Sequence, residues 1–365
     1  MRHVVLALKL RPKTLDELIG QKHVIKSLKN SIKNYRLHHA YLFTGTRGVG
    51  KTTIARIFAK CLNCEKGIVI NTCEKCKNCQ LINIGNFSDL IEVDAASRTK
   101  VEETKKILED IKYPPVIGRY KIYLIDEVHM LSLYSFNALL KTLEEPPEYI
   151  KFLLATTNLK KIPITILSRC LQFNLKLIPI KLMMKYLKKI LFVEKLLIEN
   201  SALKLICKVS KGSMRDALSL VEQSISFCGK KIKEKHIIKL IGVINKNYIY
   251  LIVKALIQSD IDKVLKVIRN LYELGVDFIY ICDELIILFH KIALSKIIPN
   301  YFKLIKEEID KELIYFSNKF TIDEINIYYK IILKGRKTML VVPDLKSGLE
   351  MILLKIIFLK KEVNI

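Results

Sequence analysis

Gly45-Thr46-Arg47-Gly48-Val49-Gly50-Lys51-Thr52 satisfies every fixed position of the phosphate-binding pattern G-x-x-x-x-G-K-[ST]. The residue types have physical reasons. Glycines let the backbone curl so that successive N–H groups point into one concavity that suits phosphate oxygens. Lys51 is placed to reach the terminal phosphates, and the Thr52 hydroxyl to ligate magnesium. The flanks agree. His39-Ala40-Tyr41-Leu42-Phe43 reads as a buried strand entering the loop. Lys51 to Leu62 reads as a helix whose positive N-terminal end faces the phosphates.

Working outward, the strand signals continue. Before the loop, Pro12 and Gly20 punctuate the chain, and Val24, Ile25, Leu28 and Ile32 fall at helical spacing. This segment could lie beside a nucleotide base or be plain core. After the loop come Leu90-Ile91-Glu92-Val93-Asp94, a helix from Val101 to Ile111, and the strand Lys121 to Asp126. Ser132 is a good N-cap for a helix with Leu133, Phe136, Leu139, Leu140 and Leu143 on one face, stopped by Pro146-Pro147. Phe152 to Thr157 and Cys170 to Leu175 read as further strands. Alternating strands and helices predict a largely parallel sheet covered on both faces, with ligands beyond the carboxyl ends of its strands. After Pro179 the strand pattern disappears. Lys181 to Lys230 reads as three short helices, and long apolar-periodic helices follow from about Ile241. Boundaries are expected near 178 and 242, with no internal repeat, low-complexity tail or Pro-rich linker.

The polar residues at strand ends suggest chemistry. Asp126-Glu127 follows the phosphate loop by about 75 residues and closes an apolar strand. An acid there organises magnesium, and its neighbour can act as a general base on water. Thr157 could orient that water, or simply bond to backbone as strand-end threonines do. Arg169 lies in Ser168-Arg169-Cys170. Arg215 lies two residues after Ser213, which with Asp216 has capping-box spacing. A cation in a first helical turn opposes the helix dipole, which favours an anion nearby. For both arginines a surface ion pair is the plain alternative.

The chain has 365 residues and a formal net charge of +26, from 62 Lys+Arg against 36 Asp+Glu. Such a charge suits a nucleic-acid partner, although lysine and isoleucine run high in every region. No run of about 18 apolar residues is present, so no membrane span is expected. Val4 to Leu8 is too short for a signal-peptide core; the reading is of a soluble cytoplasmic protein. Five of the nine cysteines fall between positions 61 and 79. A dense cluster in an intracellular nucleotide-binding protein suggests metal rather than disulfides. Cys64-x8-Cys73-x2-Cys76-x2-Cys79 can supply four thiolates to a structural zinc ion (Zn2+). Cys61 makes a second x2 pair with Cys64, but belongs to the helix begun at Lys51 and is left out. Cys170, Cys207, Cys228 and Cys282 are expected to be small buried hydrophobes.

Taken together, these stretches resemble the gamma/tau family of the bacterial DNA polymerase III clamp loader, in its short gamma-like form. The resemblance is carried by Leu37 to Phe43 running into Gly45–Thr52, by Asp94-Ala95-Ala96-Ser97-Arg98-Thr99-Lys100-Val101, by Tyr123 to Leu131, by Phe136 to Pro147, by Ser168-Arg169-Cys170 and by the four-cysteine insert. It implies an α/β P-loop AAA+ module with a zinc-binding insert (1–178, the insert at about 61–80), an all-α lid (179–242) and an all-α collar (243–365). It implies ATP hydrolysis with Mg2+, in a five-subunit spiral with delta, delta-prime and further copies of the chain, that opens the sliding clamp and loads it on primer–template DNA. Asp126 and Glu127 match the family's Walker B pair, Thr157 its sensor 1 and Arg215 its sensor 2. Arg169 matches the arginine finger that acts on ATP held by a neighbouring subunit, and zinc falls on Cys64, Cys73, Cys76 and Cys79. The helicase and polymerase contacts of the long tau form are not expected of a chain ending at Ile365. The collar resembles the family less specifically, at Gly335-Arg336-Lys337 and Pro343-Asp344.

Rival readings meet obstacles in the same residues. Another AAA+ DNA motor, for branch migration or recombination, would lack the cysteine insert and Ser168-Arg169-Cys170. A non-catalytic scaffold subunit would lose phosphate-loop residues, whereas Lys51, Thr52, Asp126 and Glu127 are all present. A zinc-dependent DNA-binding protein would need aromatic or basic residues around the cysteines; Lys66, Lys75 and Lys77 are there, with no aromatic until Phe87.

Overall fold

The computed structural model describes residues 5–97, 110–194, 196–229, 231–241, 246–298 and 311–363. The chain divides into two compact units, Met1–Glu234 and Lys235–Ile365. In the first, helix α1 (Lys22–Lys33) precedes strand β1 (Ala40–Thr44), and α2 (Lys51–Asn63) leaves the phosphate loop. Helix α3 (Lys77–Ile84) follows, then β2 (Leu90–Asp94), β3 (Lys121–Asp126), α4 (Leu133–Glu144), β4 (Ile150–Thr156) and β5 (Leu171–Asn174). The five strands are parallel in the order β2-β3-β4-β1-β5.

Alternation along the strands feeds two cores. Tyr41, Phe43, Ile122, Leu124 and Leu153 face one, with Phe58 and Leu62 of α2. Leu42, Tyr123, Ile125, Phe152 and Leu154 face the other, with Phe136, Leu139 and Leu143 of α4. The central strands β1 and β4 are buried throughout, which is why they read as unbroken apolar runs. Parallel register aligns the strand ends. Thr44 lies opposite Thr156 and Asn174, and Asp94 opposite Asp126, so polar side chains collect along one edge.

Several expectations change. Thr157 lies just past β4, which begins two residues earlier than Phe152. Leu133 is exposed, because the core face of α4 starts only at Phe136. Of the expected helix from Val101 to Ile111, residues 101–109 lie outside the described residues, as do Arg98, Thr99 and Lys100 of the quoted motif. Cys170, Cys207 and Cys282 are buried, but Cys228 is half-buried and donates its thiol proton to Ser224 O at 2.9 Å.

Beyond Pro179 three helices run as α5 (Ile180–Val193), α6 (Asn200–Val209) and α7 (Met214–Cys228). Strands do not vanish there. Leu197–Ile198 (β6) pairs in parallel with Lys231–Ile232 (β7), a ladder too short to leave an alternating signature. Helix α8 (Glu234–Ile241) stands where the units divide along the chain.

The second unit is helical: α9 (Lys246–Gln258), α10 (Ile261–Glu273), α11 (Phe278–Ile297), α12 (Lys311–Lys319), α13 (Ile322–Thr338) and α14 (Leu345–Val363). Leu285, Phe289, Phe316, Tyr328, Leu353 and others form its core. Gly335 is required by the close approach of α13 to α14, since a Cβ there would lie 2.4 Å from Ile352 Cγ1. Beside it, Arg336 grips both oxygens of Asp283 on α11, at 2.7 and 3.4 Å.

Candidate nucleotide site and four-cysteine cluster

Between β1 and α2 the loop holds three glycines at positive φ: Gly45 (145°), Gly48 (78°) and Gly50 (104°). Any other residue is strained there. At two of them space is also lacking. A Cβ on Gly45 would meet Leu175 O at 2.7 Å, and one on Gly48 would meet Ser213 Oγ at 1.9 Å. Lys51 opens α2 with its ammonium donating to the loop carbonyls of Gly45 (2.9 Å) and Thr46 (3.1 Å). Burial lowers its pKa, opposed by the charges of Glu127 and Asp126 and aided by Arg215. A cradle of backbone with a desolvated ammonium at its centre fits a polyphosphate.

The acidic pair is reached from β3. Thr52 Oγ1 donates to Asp126 Oδ2 at 2.6 Å, which draws a hydroxyl and a carboxylate together as magnesium ligands would be. Asp126 Oδ1 accepts the Glu127 amide at 2.9 Å. Glu127 Oε2 accepts from the amide (3.1 Å) and hydroxyl (2.8 Å) of Thr157. So Thr157 meets Glu127 directly.

A cavity of about 170 Å³ lies over the loop and includes Asp126, Glu127 and Arg215 in its lining. Its apolar wall comes from Leu10, Leu18, Ile19, Ile178, Tyr186 and Leu218, a surface suited to a flat heterocyclic base. The N-terminal segment therefore contributes to the site as well as to the core. It is tied to the lid helices by Leu6 N donating to Glu222 Oε2 (3.0 Å) and by Lys9 pairing with Glu194 (2.7 Å). Ser213 caps α7 by accepting the Asp216 amide at 3.3 Å, which completes one half of a capping box. The Met214 amide donates to Gly48 O at 3.2 Å. The first turn of α7, and Arg215 with it, is thereby docked on the phosphate loop.

Arg11 is a functional candidate that motif reading overlooks. It lines the same cavity and donates from Nε to Thr53 Oγ1 at 3.2 Å. Burial, together with the like charges of Arg56 and Arg215, pulls its guanidinium down to about 10. Its only advance signal was Arg-Pro ahead of the first helix. Arg169 stands apart. It is absent from the cavity lining and sits before β5, paired with Glu144 at 2.6 Å and donating to Thr165 O at 2.8 Å.

The four sulfurs of Cys64, Cys73, Cys76 and Cys79 lie within 4.8 Å of one another. A zinc–sulfur bond of about 2.3 Å implies a tetrahedron edge of about 3.8 Å. Cys73 Sγ is 3.6 Å from Cys64 Sγ and 3.9 Å from Cys79 Sγ, so the donor set fits zinc. Amides of Cys76 and Cys79 donate to the sulfurs of Cys73 (3.3 Å) and Cys76 (3.4 Å). At Cys73 the backbone amides of Cys76 and Lys75 favour the thiolate and lower it to about 6. Cys61 is outside the group; burial raises it to about 12, and its thiol donates to Ile70 O at 3.5 Å. The insert is moored to α2 by the buried ammonium of Lys60, which pairs with Glu74 at 2.6 Å.

A parallel sheet with a phosphate loop after β1, an acidic pair after β3 and a helical lid docked on the loop defines a P-loop nucleotide-binding module of the AAA+ class. Comparison narrows the class. Residues 20–179 match the family model described as DNA polymerase III, delta subunit; residues 183–230 match the DNA polymerase III clamp loader subunit ATPase lid domain; residues 232–364 match DNA polymerase III subunits gamma and tau domain III. The DNA polymerase III subunit gamma of Buchnera aphidicola subsp. Baizongia pistaciae is 46% identical over 97% of this chain and 97% of its own length. The subunit tau/gamma of Haemophilus influenzae is 44% identical over 97% of this chain, and the subunit tau of Escherichia coli likewise 44% over 97%. This chain belongs to the DNA polymerase III gamma/tau family. It spans about half the length of the Haemophilus and Escherichia relatives, 51% and 55%. A solved Holliday junction branch migration motor, RuvB of Thermotoga maritima, aligns with a TM-score of 0.49 and 22% identity over 73% of this chain and 86% of that one.

Proposed function

We propose that this chain is an ATP-hydrolysing motor subunit of the DNA polymerase III clamp loader. The observation that carries the reading is that Lys51, Thr52, Asp126 and Glu127 all line one cavity in a member of the gamma/tau family. The loop Gly45–Thr52 holds the phosphates of ATP. Thr52 and Asp126 hold Mg2+, which supplies charge neutralisation at those phosphates. Glu127 accepts a proton from the attacking water, Thr157 keeps that carboxylate oriented, and Arg215 stabilises phosphate charge from the lid.

Arg169 acts on the nucleotide of a neighbouring subunit. Its position away from its own cavity supports this, since a trans arginine has to be presented outward. Such an arginine can accelerate phosphoryl transfer by about 10³–10⁵. The working assembly contains delta, delta-prime and further copies of this chain, and acts on a sliding clamp and primer–template DNA in the cytoplasm. Zn2+ on Cys64, Cys73, Cys76 and Cys79 is structural, since four thiolates leave no open position. The AAA+ domain ends near 178 and the lid near 242, with the collar beyond. No helix among the described residues is long and apolar enough to cross a membrane.

The test is ATP turnover by the chain alone and mixed with delta, delta-prime, clamp and primed DNA, for wild type and Arg169→Ala. A low basal rate that rises only in the full mixture, and fails to rise with Arg169→Ala despite intact ATP binding, supports the reading. Turnover indifferent to partners refutes it.

A further inference from the structure

The turn that follows β3 carries a histidine to which the chemistry above gives no part. Glu127 adopts the left-handed region, with φ 48° and ψ 44°, and leads into the single 3-10 turn Val128–Met130. A non-glycine residue loses roughly 1–2 kcal/mol there. Strain of this kind at a functional carboxylate invites the question of what it arranges. It folds residue 129 back over residue 127. His129 Nδ1 lies 3.4 Å from Glu127 Oε2 and 3.0 Å from Thr156 Oγ1, with its side chain 11% exposed.

The hydrogen inventory assigns the tautomer. An ionised carboxylate only accepts, so a bare nitrogen lone pair facing Glu127 Oε2 would be repelled; Nδ1 carries the proton. Thr156 agrees. Its single hydroxyl proton goes to Asn158 O at 3.2 Å, and its oxygen accepts the Asn158 amide at 3.1 Å, so toward His129 it is an acceptor. The Nδ1–H is therefore donated to Thr156, which anchors the ring with Nδ1 3.4 Å from Glu127 Oε2, so that its polarised N–H faces the carboxylate. Glu127 Oε2 accepts two hydrogen bonds, from the amide and hydroxyl of Thr157 at 3.1 and 2.8 Å, and also faces the His129 N–H at ion-pair distance. An oxygen so heavily donated to is the weaker base. Oε1 is the one left to take a proton.

The geometry points to His129 as a positioning residue for hydrolysis. Its Nδ1–H, anchored on Thr156, fixes the Glu127 carboxylate with Oε2 engaged and Oε1 reserved for the proton of the attacking water. This rests on the reading of Glu127 as general base. The sequence signal was the spacing Glu-x-His directly after the acidic strand end, which becomes meaningful only with the left-handed turn at Glu127.

The experiment uses the full chain with delta, delta-prime, clamp and primed DNA. His129→Leu keeps volume and removes the donor; His129→Asn restores a donor at the same distance from Cβ. Stimulated kcat and KM are measured beside ATP affinity of the isolated chain, with Glu127→Gln in parallel. A general base contributes about 10²–10⁴, so losing its positioning is expected to lower kcat roughly 10-fold. ATP affinity should stay within about twofold, and His129→Asn should recover most of the rate. Wild-type kcat in His129→Leu while Glu127→Gln is inactive overturns the positioning role alone. His129→Asn as slow as His129→Leu, or kcat and ATP affinity falling together, also overturns it. Full turnover by Glu127→Gln overturns both this role and the general-base reading.

Discussion

Gly48 is where the lid presses on the phosphate loop, and Gly48→Ala turns that contact into a measurement. Two costs arise. At φ 78° an alanine is held in the left-handed region, which costs about 1–2 kcal/mol. The new Cβ would also stand 1.9 Å from Ser213 Oγ and 2.9 Å from Ser213 Cβ. Ser213 caps α7 and cannot move without disturbing that helix, so overpacking adds about 1–3 kcal/mol. The total is roughly 2–5 kcal/mol, the sum of the two terms. Gly50→Ala is the control: φ is 104° but nothing lies within 4 Å of its Cβ, so only the backbone cost applies. Ser213→Gly removes both clashing atoms for a few tenths of a kcal/mol, because glycine is a tolerable N-cap. Gly48→Ala combined with Ser213→Gly should then be more stable than additivity allows by about 1–3 kcal/mol. The assay is urea unfolding of the nucleotide-free chain followed by circular dichroism, since the chain has no tryptophan. ATP affinity is measured alongside, because the Met214 amide bonded to Gly48 O couples lid to loop. Additivity within about 0.5 kcal/mol, or Gly48→Ala no worse than Gly50→Ala, would refute the contact argument.

Two further outcomes follow from the site. Cys76→Ser should leave less than one zinc per chain by metal analysis, and an undiminished content would mean that Cys61 leaves its bond to Ile70 O to serve as ligand. Arg11→Ala removes a cation crowded by Arg56 and Arg215. ATP affinity should fall roughly 10-fold or more, the worth of a hydrogen bond to a charged group, while stability without nucleotide changes little because like-charge repulsion is relieved. Equal affinity in a titration with labelled ATP would remove Arg11 from the site.

Much of the site was legible because its signals are local. The phosphate loop is a contiguous string whose glycines answer a backbone requirement within the loop itself, and the acids Asp126 and Glu127 end an apolar run. The cysteines were legible as a cluster, but five thiols competed for four places on spacing alone. Burial of Cys61 on the core face of α2 and its bond to Ile70 O separate it from the other four. Leu133 shows the limit of periodicity, which identifies a helical stripe but not where the covering layer begins. The pair β6 and β7 shows another, since two-residue strands carry no period.

The sequence by itself determined the class of module and the family, because each depends on residues close together in the chain or on a pattern sustained along it. Only the tertiary structure decided which distant side chains share the cavity. Parallel register sets Thr44 beside Thr156 and brings Asp126 onto Thr52. The docking of α7 delivers Arg215 to a loop more than 160 residues away, while the strap before α1 adds Arg11. Arg169, no less suggestive in the sequence, is left outside. The physical reason is that periodicity encodes which face of an element is buried, whereas the meeting of polar side chains across elements is set by register, connection geometry and close approach.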